Sequence, residues 1–370
     1  QVKDTTRALG DIARFHRARF NIPIIAITGS NGKTTTKEMV AWILSAKFRV
    51  LKNAGTKNNQ IGLPQTLLNL NSLFDMAVLE IGTNHFGEVE YLARIARPDI
   101  GIITNIGPSH LEYFKNLEGV FKEKASLLNN LKDPHIAILN QDDALLRKKP
   151  CNNASGSFCL GFGIKHNADF VASGIKAHDN RMTFSISKKY RFTLNTPGYY
   201  NIYNALSAIA VARLFGMEYK DIVSRLVDFD FPQNRLEFVE FNKIKFINDT
   251  YNSNPSSLIQ ALEALDNFKV KGRKVFVMGD MLELGSHEEK LHREAGVRAS
   301  KTCDIFITVG SLSKFAAQAA RRCGFEPRNI FTCESTGEAR DILFGDISIN
   351  PDDIVLVKGS RAMLMEKVFP

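Results

Sequence analysis

Ile22-Pro23-Ile24-Ile25-Ala26-Ile27-Thr28-Gly29-Ser30-Asn31-Gly32-Lys33-Thr34-Thr35-Thr36 is the stretch on which the fold turns. Its first half is a short apolar run ending at a glycine, the pattern of a strand buried on both faces of a parallel sheet. Its second half opens a helix that carries Met39, Val40, Ile43 and Leu44 on one face. Between them lie two glycines, a lysine and a threonine. Glycines let backbone N–H groups approach phosphate oxygens closely, and a helix N-terminus adds partial positive charge. At this spacing Lys33 reaches β/γ-phosphates and the Thr34 hydroxyl can ligate Mg²⁺. One position departs from the common phosphate-loop pattern: five residues before Gly32 stands Ile27, not glycine. The bland alternative is a glycine-rich turn that binds nothing.

Working outward, similar apolar runs recur at 76–81, 100–104 and 136–139, with helical patterns between them. That alternation predicts βαβ units and a parallel sheet. Residues 158–195 change character: short alternating segments at 170–171, 182–186 and 190–194 predict a small antiparallel appendage. A helix is expected from about Asn201 to Phe215. A second α/β block begins near Pro232. Its strands are expected at 244–248, 274–279, 305–310, 330–332 and 354–358, with helices near 256–267, 287–300, 311–323 and 335–344. The fold class is therefore α/β. It comprises a central phosphate-loop domain with a mostly parallel sheet, residues 21–231, and a doubly wound Rossmann-like domain, 232–370. Residues 1–20, with Leu9, Ile12, Ala13 and Phe15 among arginines, form a basic amphipathic helix leading into the first.

Composition narrows the class. At ~100–200 residues per domain, 370 residues mean two to three domains. A chain that is 44% hydrophobic and 24% charged is neither disordered, collagen-like nor a disulfide miniprotein. No apolar run reaches the ~18 residues of a membrane span. The net charge of +9 suits an anionic small substrate as well as a nucleic acid. The basic residues show no interleaving with aromatics and no helix-turn-helix or zinc pattern, which argues against nucleic acid. Five cysteines without a C-x-x-C pair predict reduced thiols and a cytoplasmic protein. The chain starts at Gln1 without an initiator Met, which suggests processing or a piece of something longer.

Three further residues lie on post-strand loops or next to them. Glu80 ends an apolar run, where a carboxylate faces the ligand crevice and can hold Mg²⁺; position alone fits an exposed strand-end glutamate too. His110 follows the third run, and a lone histidine there is as readily an ordinary surface residue. Lys124, 14 residues on, would by itself be a solvated helix lysine.

Further stretches match a family. They are Asn58-Asn59-Gln60-Ile61-Gly62-Leu63-Pro64, Glu80-Ile81-Gly82-Thr83-Asn84-His85 and Asn105-Ile106-Gly107-Pro108-Ser109-His110-Leu111-Glu112. Later come Pro197-Gly198-Tyr199-Tyr200-Asn201-Ile202-Tyr203-Asn204-Ala205-Leu206 and Asn248-Asp249-Thr250-Tyr251-Asn252-Ser253-Asn254-Pro255. With the shortened loop at 28–35, these resemble the Mur ligases nearly end to end. Gly279-Asp280-Met281-Leu282-Glu283-Leu284-Gly285 and Val357-Lys358-Gly359-Ser360-Arg361 resemble the dipeptide-adding member in particular.

The resemblance implies an ATP-dependent amide ligase of peptidoglycan precursor synthesis. It would join D-alanyl-D-alanine to UDP-N-acetylmuramoyl-tripeptide through an acyl phosphate, most simply as a monomer. It implies that Gly29, Ser30, Asn31, Gly32, Lys33, Thr34 and Thr35 cradle the phosphates. Thr34 and Glu80 would hold one Mg²⁺ and His110 a second, with Lys124 carbamylated as a further metal ligand. Asn201 and Asn204 would contact the adenine side of ATP, although Tyr200 replaces the histidine common before Asn201. Arg235 would reach the γ-phosphate, Asp249, Tyr251 and Asn252 would close on the nucleotide, and Lys358 and Arg361 would touch substrate. Lys33, Lys124, His110 and Arg235 are thus the implied catalytic set. Family members also begin with a domain that binds the UDP part of the acceptor, and residues 1–20 resemble the segment leading out of it. The rivals are another amino-acid ligase of the family and a non-catalytic nucleotide-binding module. The Asp-Asn-Pro-Arg motif of the diaminopimelate-adding ligase is absent.

Overall fold

The structure, a computed structural model, describes residues 1–148, 157–178 and 180–370. The chain divides into two compact units. One holds residues 1–175, 183–194 and 200–229; the other holds 176–182, 195–199 and 230–370.

The first unit opens with helix α1 (Thr5–Ala18), N-capped by Asp4, which accepts from the backbone of Thr6 and Arg7. The helix belongs to this unit's core. Ala13 packs among Leu92, Ala93 and Ile95. Arg17 is buried and donates to the carbonyls of Ala96, Phe20 and Ile22. Strand β1 (Ile24–Thr28) is fully buried, as an uninterrupted apolar run requires. It leads through the glycine loop into α2 (Lys33–Leu44). The chain continues through β2 (Val50–Lys52), α3 (Gly62–Leu68), β3 (Met76–Glu80), α4 (Glu88–Ala96) and β4 (Ile100–Ile103). Next come α5 (Leu111–Phe114), α6 (Leu117–Ala125), β5 (Ile136–Asn140), α7 (Ala144–Arg147) and β6 (Phe158–Gly163). Strands β7 (Phe170–His178), β8 (Arg181–Ile186) and β9 (Tyr190–Leu194) follow, then α8 (Asn201–Leu214) and α9 (Tyr219–Val227).

The sheet order is β2-β3-β1-β4-β5-β6-β7-β8-β9. Strand β1 therefore has β3 on one side and β4 on the other, both parallel to it. From β1 the chain runs out to β2 and back to β3 on one side, then crosses to β4 on the other, so a crevice opens beyond the carboxyl end of β1, where doubly wound folds bind ligands. The expected antiparallel appendage differs in one respect. Strand β6 pairs parallel with β5, so this region extends the main sheet. The three-residue β2 is too short to leave a pattern in the sequence.

The second unit carries β10 (Glu237–Phe241), β11 (Ile244–Asp249), α10 (Pro255–Asn267), β12 (Lys274–Gly279), α11 (Glu288–Ala299) and β13 (Ile305–Val309). It ends with α12 (Ser313–Arg322), β14 (Ile330–Cys333), α13 (Thr336–Asp341) and β15 (Ile354–Lys358). The order is β10-β11-β15-β12-β13-β14, parallel except for the β10–β11 hairpin. The last strand inserts between the two strands that open the unit's parallel series, as the doubly wound expectation requires. Asn254 and Ser257 cap α10 reciprocally around Pro255.

Cys303, Cys323 and Cys333 are free, but Cys159 is disulfide-bonded, which corrects the expectation of five reduced thiols. Cys151 lies outside the described residues. Among the described residues no helix is long and apolar enough to cross a membrane.

Candidate active site

Beyond β1 the backbone turns at Gly29 (φ 147°) and Gly32 (φ 81°), both in the region open to glycine. Space matters as well as torsion: a Cβ at Gly29 would strike the Thr104 hydroxyl and one at Gly32 the Asn204 side chain. The loop is held by the segment after β4. Ser30 N donates to Asn105 O at 2.9 Å, Ser30 Oγ to Gly107 O at 2.8 Å, and Asn31 N to Asn105 Oδ1 at 3.1 Å. Lys33 Nζ folds back onto the loop's own carbonyls, Gly29 O at 2.9 Å and Ser30 O at 3.3 Å. An ammonium parked over the concave face of such a loop sits where anionic phosphate would be received.

Thr34 Oγ1 donates to Glu80 Oε2 at 2.8 Å, and Asn58 Nδ2 to Glu80 Oε1 at 2.7 Å. Glu80 is 1% exposed, so it is no solvated strand-end glutamate. No cationic side chain pairs with it among the described residues. A buried carboxylate whose partners are a hydroxyl and an amide has no cation beside it to offset a negative charge. A hard cation fits beside it: carboxylate and hydroxyl oxygens are the donors Mg²⁺ takes, with phosphates and water completing its shell. The described residues offer no group of three or more His, Cys, Asp or Glu side chains for a protein-only metal site. A nucleotide-borne Mg²⁺ needs none.

Lys124 on α6 is 1% exposed, which overturns the solvated-lysine reading. Burial holds its amine well below the ordinary lysine value. The Lys33 cation lowers it further, against the opposing pull of Glu123. His110 adopts a left-handed backbone (φ 51°) at the start of α5, with its ring edge-on to Phe114. Asn204 and Asn201 are buried on α8; Asn204 Oδ1 accepts from Thr36 Oγ1 at 3.2 Å, and its Nδ2 donates to Asn201 Oδ1 at 2.8 Å. The start of α8 is thereby fixed against the phosphate loop.

Several residues that organise this site had no motif to announce them. Glu123, 3% exposed, accepts from Gly87 N at 2.7 Å, Val89 N at 2.8 Å and Thr83 Oγ1 at 3.2 Å, so it caps α4 and ties the loop after Glu80 to α6. Asp142 receives the N–H groups of Ile164, Lys165 and His166 and the Tyr203 hydroxyl on α8. Burial alone would raise the Asp142 carboxyl, but these donors hold it down to about 2.

In the second unit Arg235 stacks its guanidinium 3.7 Å from the centre of the Tyr251 ring. Asp249 and Lys358 end neighbouring parallel strands in register. Lys358 Nζ donates to Asp249 Oδ2 at 2.5 Å and Asn252 O at 3.0 Å, and is itself 1% exposed. Strand register thus sets Lys358 beside Asp249, where its ammonium ties the two strand ends together. Arg361 pairs with Glu366 at 2.8 Å. Asp280, in the Gly279–Gly285 stretch, caps α12 through Ser313 N at 2.6 Å.

A phosphate loop at the switch point of a parallel sheet, with a buried carboxylate on its threonine and a second doubly wound unit, defines a nucleotide-dependent enzyme of α/β class. Residues 27–212 match the Mur ligase middle domain and 234–361 the Mur ligase glutamate ligase domain. The chain belongs to the Mur ligase family. It is 33% identical over 99% of its length to the UDP-N-acetylmuramoyl-tripeptide–D-alanyl-D-alanine ligase of Bacillus subtilis, covering 79% of that protein. The crystal structure of MurF from Acinetobacter baumannii superposes with a TM-score of 0.90 at 31% identity, covering 99% of this chain and 80% of that one. MurF from Thermotoga maritima in complex with ADP gives 0.86 at 26% identity, covering 99% and 83%.

Proposed function

We propose that this chain is an ATP-dependent ligase that adds D-alanyl-D-alanine to UDP-N-acetylmuramoyl-tripeptide in peptidoglycan precursor synthesis. The observation that carries this reading is the match over 99% of the chain to a D-alanyl-D-alanine-adding ligase. The phosphate loop supplies the matching chemistry. A carboxylate oxygen of the tripeptide attacks the γ-phosphorus of ATP; the O–P bond forms and ADP departs. The amine of D-alanyl-D-alanine, having lost its proton, attacks the acyl carbon. The tetrahedral intermediate collapses to the amide and expels phosphate. Phosphorylation is needed because the oxygen of a carboxylate is a poor leaving group.

The protein's share is positioning and charge neutralisation. Lys33 exchanges its loop carbonyls for the β/γ-phosphate oxygens, and the N–H groups of the loop and of α2 add donors. Thr34 and Glu80 would hold Mg²⁺, which spreads the charge on the transferring phosphoryl group. His110 and Lys124 are proposed for a second ion. Lys124 qualifies because a neutral amine adds CO2, losing one proton to become a carbamate, and its environment favours the neutral amine. Asn201 and Asn204 are proposed to border the adenine side, and Arg235, Asp249, Tyr251 and Asn252 to contact the nucleotide. We place the reaction in the cytoplasm, with the enzyme acting as a monomer.

The test is phosphate release and product mass with MgATP, UDP-N-acetylmuramoyl-tripeptide and a panel of amines. Release matched one-to-one by D-alanyl-D-alanine addition is expected. Preference for a single amino acid would reassign the chain within the family, and ATP hydrolysis without amide would refute ligation.

A further inference from the structure

Lys37 lies three residues after Thr34 on α2 and is 0% exposed, an expensive place for a cation. Its three N–H donors meet three acceptors: Asn53 O at 2.5 Å, Gly55 O at 3.0 Å and Glu38 Oε1 at 2.9 Å. Two of these belong to the loop between β2 and α3, which brackets Glu80. Asn53 Oδ1 accepts from Glu80 N at 2.9 Å, and Asn53 Nδ2 donates to Glu80 O at 3.1 Å, so one side chain holds both backbone groups of the glutamate. Asn58, on the same loop, holds Oε1. Thr34, on the same helix as Lys37, holds Oε2.

We propose that Lys37 is a positioning residue for the metal-binding carboxylate. Its buried ammonium clamps the 53–58 loop to the phosphate-loop helix, so Glu80 is fixed from both sides relative to Thr34. The two oxygens that would face Mg²⁺ are thus set by one rigid triangle of α2, the loop and the end of β3. A neutral side chain of similar length fills the volume but holds no carbonyl, and the loop is then free to shift Glu80. The phosphate contacts of Lys33 and the loop N–H groups do not pass through this triangle.

This inference rests on the nucleotide-site reading, and the test separates the two. Lys37→Met and the wild type are compared for ADP binding in EDTA, for binding of Mn²⁺ with ADP by electron paramagnetic resonance, and for thermal unfolding. Metal-free ADP affinity within about twofold of wild type, with Mn²⁺ bound about tenfold more weakly, is expected. Unchanged Mn²⁺ affinity in a folded Lys37→Met would overturn the inference. Failure of the wild type to bind ADP at all would instead overturn the nucleotide-site reading. Should Lys37→Met not fold, Asn58→Ala carries the test, since it loosens the same carboxylate while the carbonyls of Asn53 and Gly55 keep their donor. A metal-selective loss there upholds the bracket, and equal loss with and without metal overturns it.

Discussion

Thr34 and Glu80 stand 46 residues apart in the chain and meet at 2.8 Å, hydroxyl to carboxylate, at the mouth of the phosphate loop. The contact joins the start of α2 to the end of β3, next to the switch point of the sheet. It places a buried, cation-free carboxylate where a nucleotide's metal belongs. Much of the expected chemistry depends on that placement.

Lys33→Ala removes the ammonium held over Gly29 O and Ser30 O. Loss of one preorganised donor to the transferring phosphoryl group lowers kcat by about 10²–10³-fold. Steady-state phosphate release measures this, and near-normal turnover would refute the assignment of the loop.

Lys124 gives a pH-dependent signature. A lysine held below its ordinary value binds fewer protons folded than unfolded. Folding stability therefore rises with pH until the unfolded side chain loses its proton near 10.5. In CO2-free buffer Lys124→Met is expected to melt above the wild type at neutral pH, with the gap closing as pH climbs toward 10.5. A gap independent of pH would show that the amine is not perturbed. In the presence of substrates, Lys124→Ala should lose activity and recover part of it with millimolar formate or acetate, which replace the carbamate carboxylate. Full activity without such rescue would remove the carbamate.

Lys358→Met leaves Asp249 buried with Leu236 N as a remaining partner. Breaking one side of a buried pair costs about 3–5 kcal/mol. Urea unfolding followed in the second unit checks this. A loss under 1 kcal/mol would mean that this pair does not hold the strand ends together.

Glu123→Ala strips the partner from Gly87 N and Val89 N at the start of α4. A buried donor left without an acceptor costs about 1–3 kcal/mol. Hydrogen exchange should show faster opening of residues 83–90 than of β1, and uniform protection across both would argue against the capping role.

What could be read in advance follows a physical line. Strand β1, its loop and α2 were legible because a continuous apolar run, two glycines and a Lys-Thr pair act within a dozen residues. Glu80 was legible by its place at a strand end. Glu123, Asn53 and Asp142 were not, because each gains its role from partners 22 to 61 residues away, and a lone polar residue on a loop or helix has no period. The burial of Lys358 and its pairing with Asp249 had no signal in the Lys-Gly-Ser-Arg string, since its environment is set by the register of β15 against β11. Strand β6 looked like part of an antiparallel appendage because hydrophobic alternation cannot tell which neighbour a strand will choose.

The central claim is that ATP activates the acceptor carboxylate as an acyl phosphate. It is tested most directly by supplying UDP-N-acetylmuramoyl-tripeptide labelled with ¹⁸O in its terminal carboxylate, together with D-alanyl-D-alanine and MgATP, and analysing the released phosphate by mass spectrometry. One labelled oxygen should appear in each phosphate, matched by one molecule of extended peptide. Extended peptide formed with unlabelled phosphate would contradict the claim.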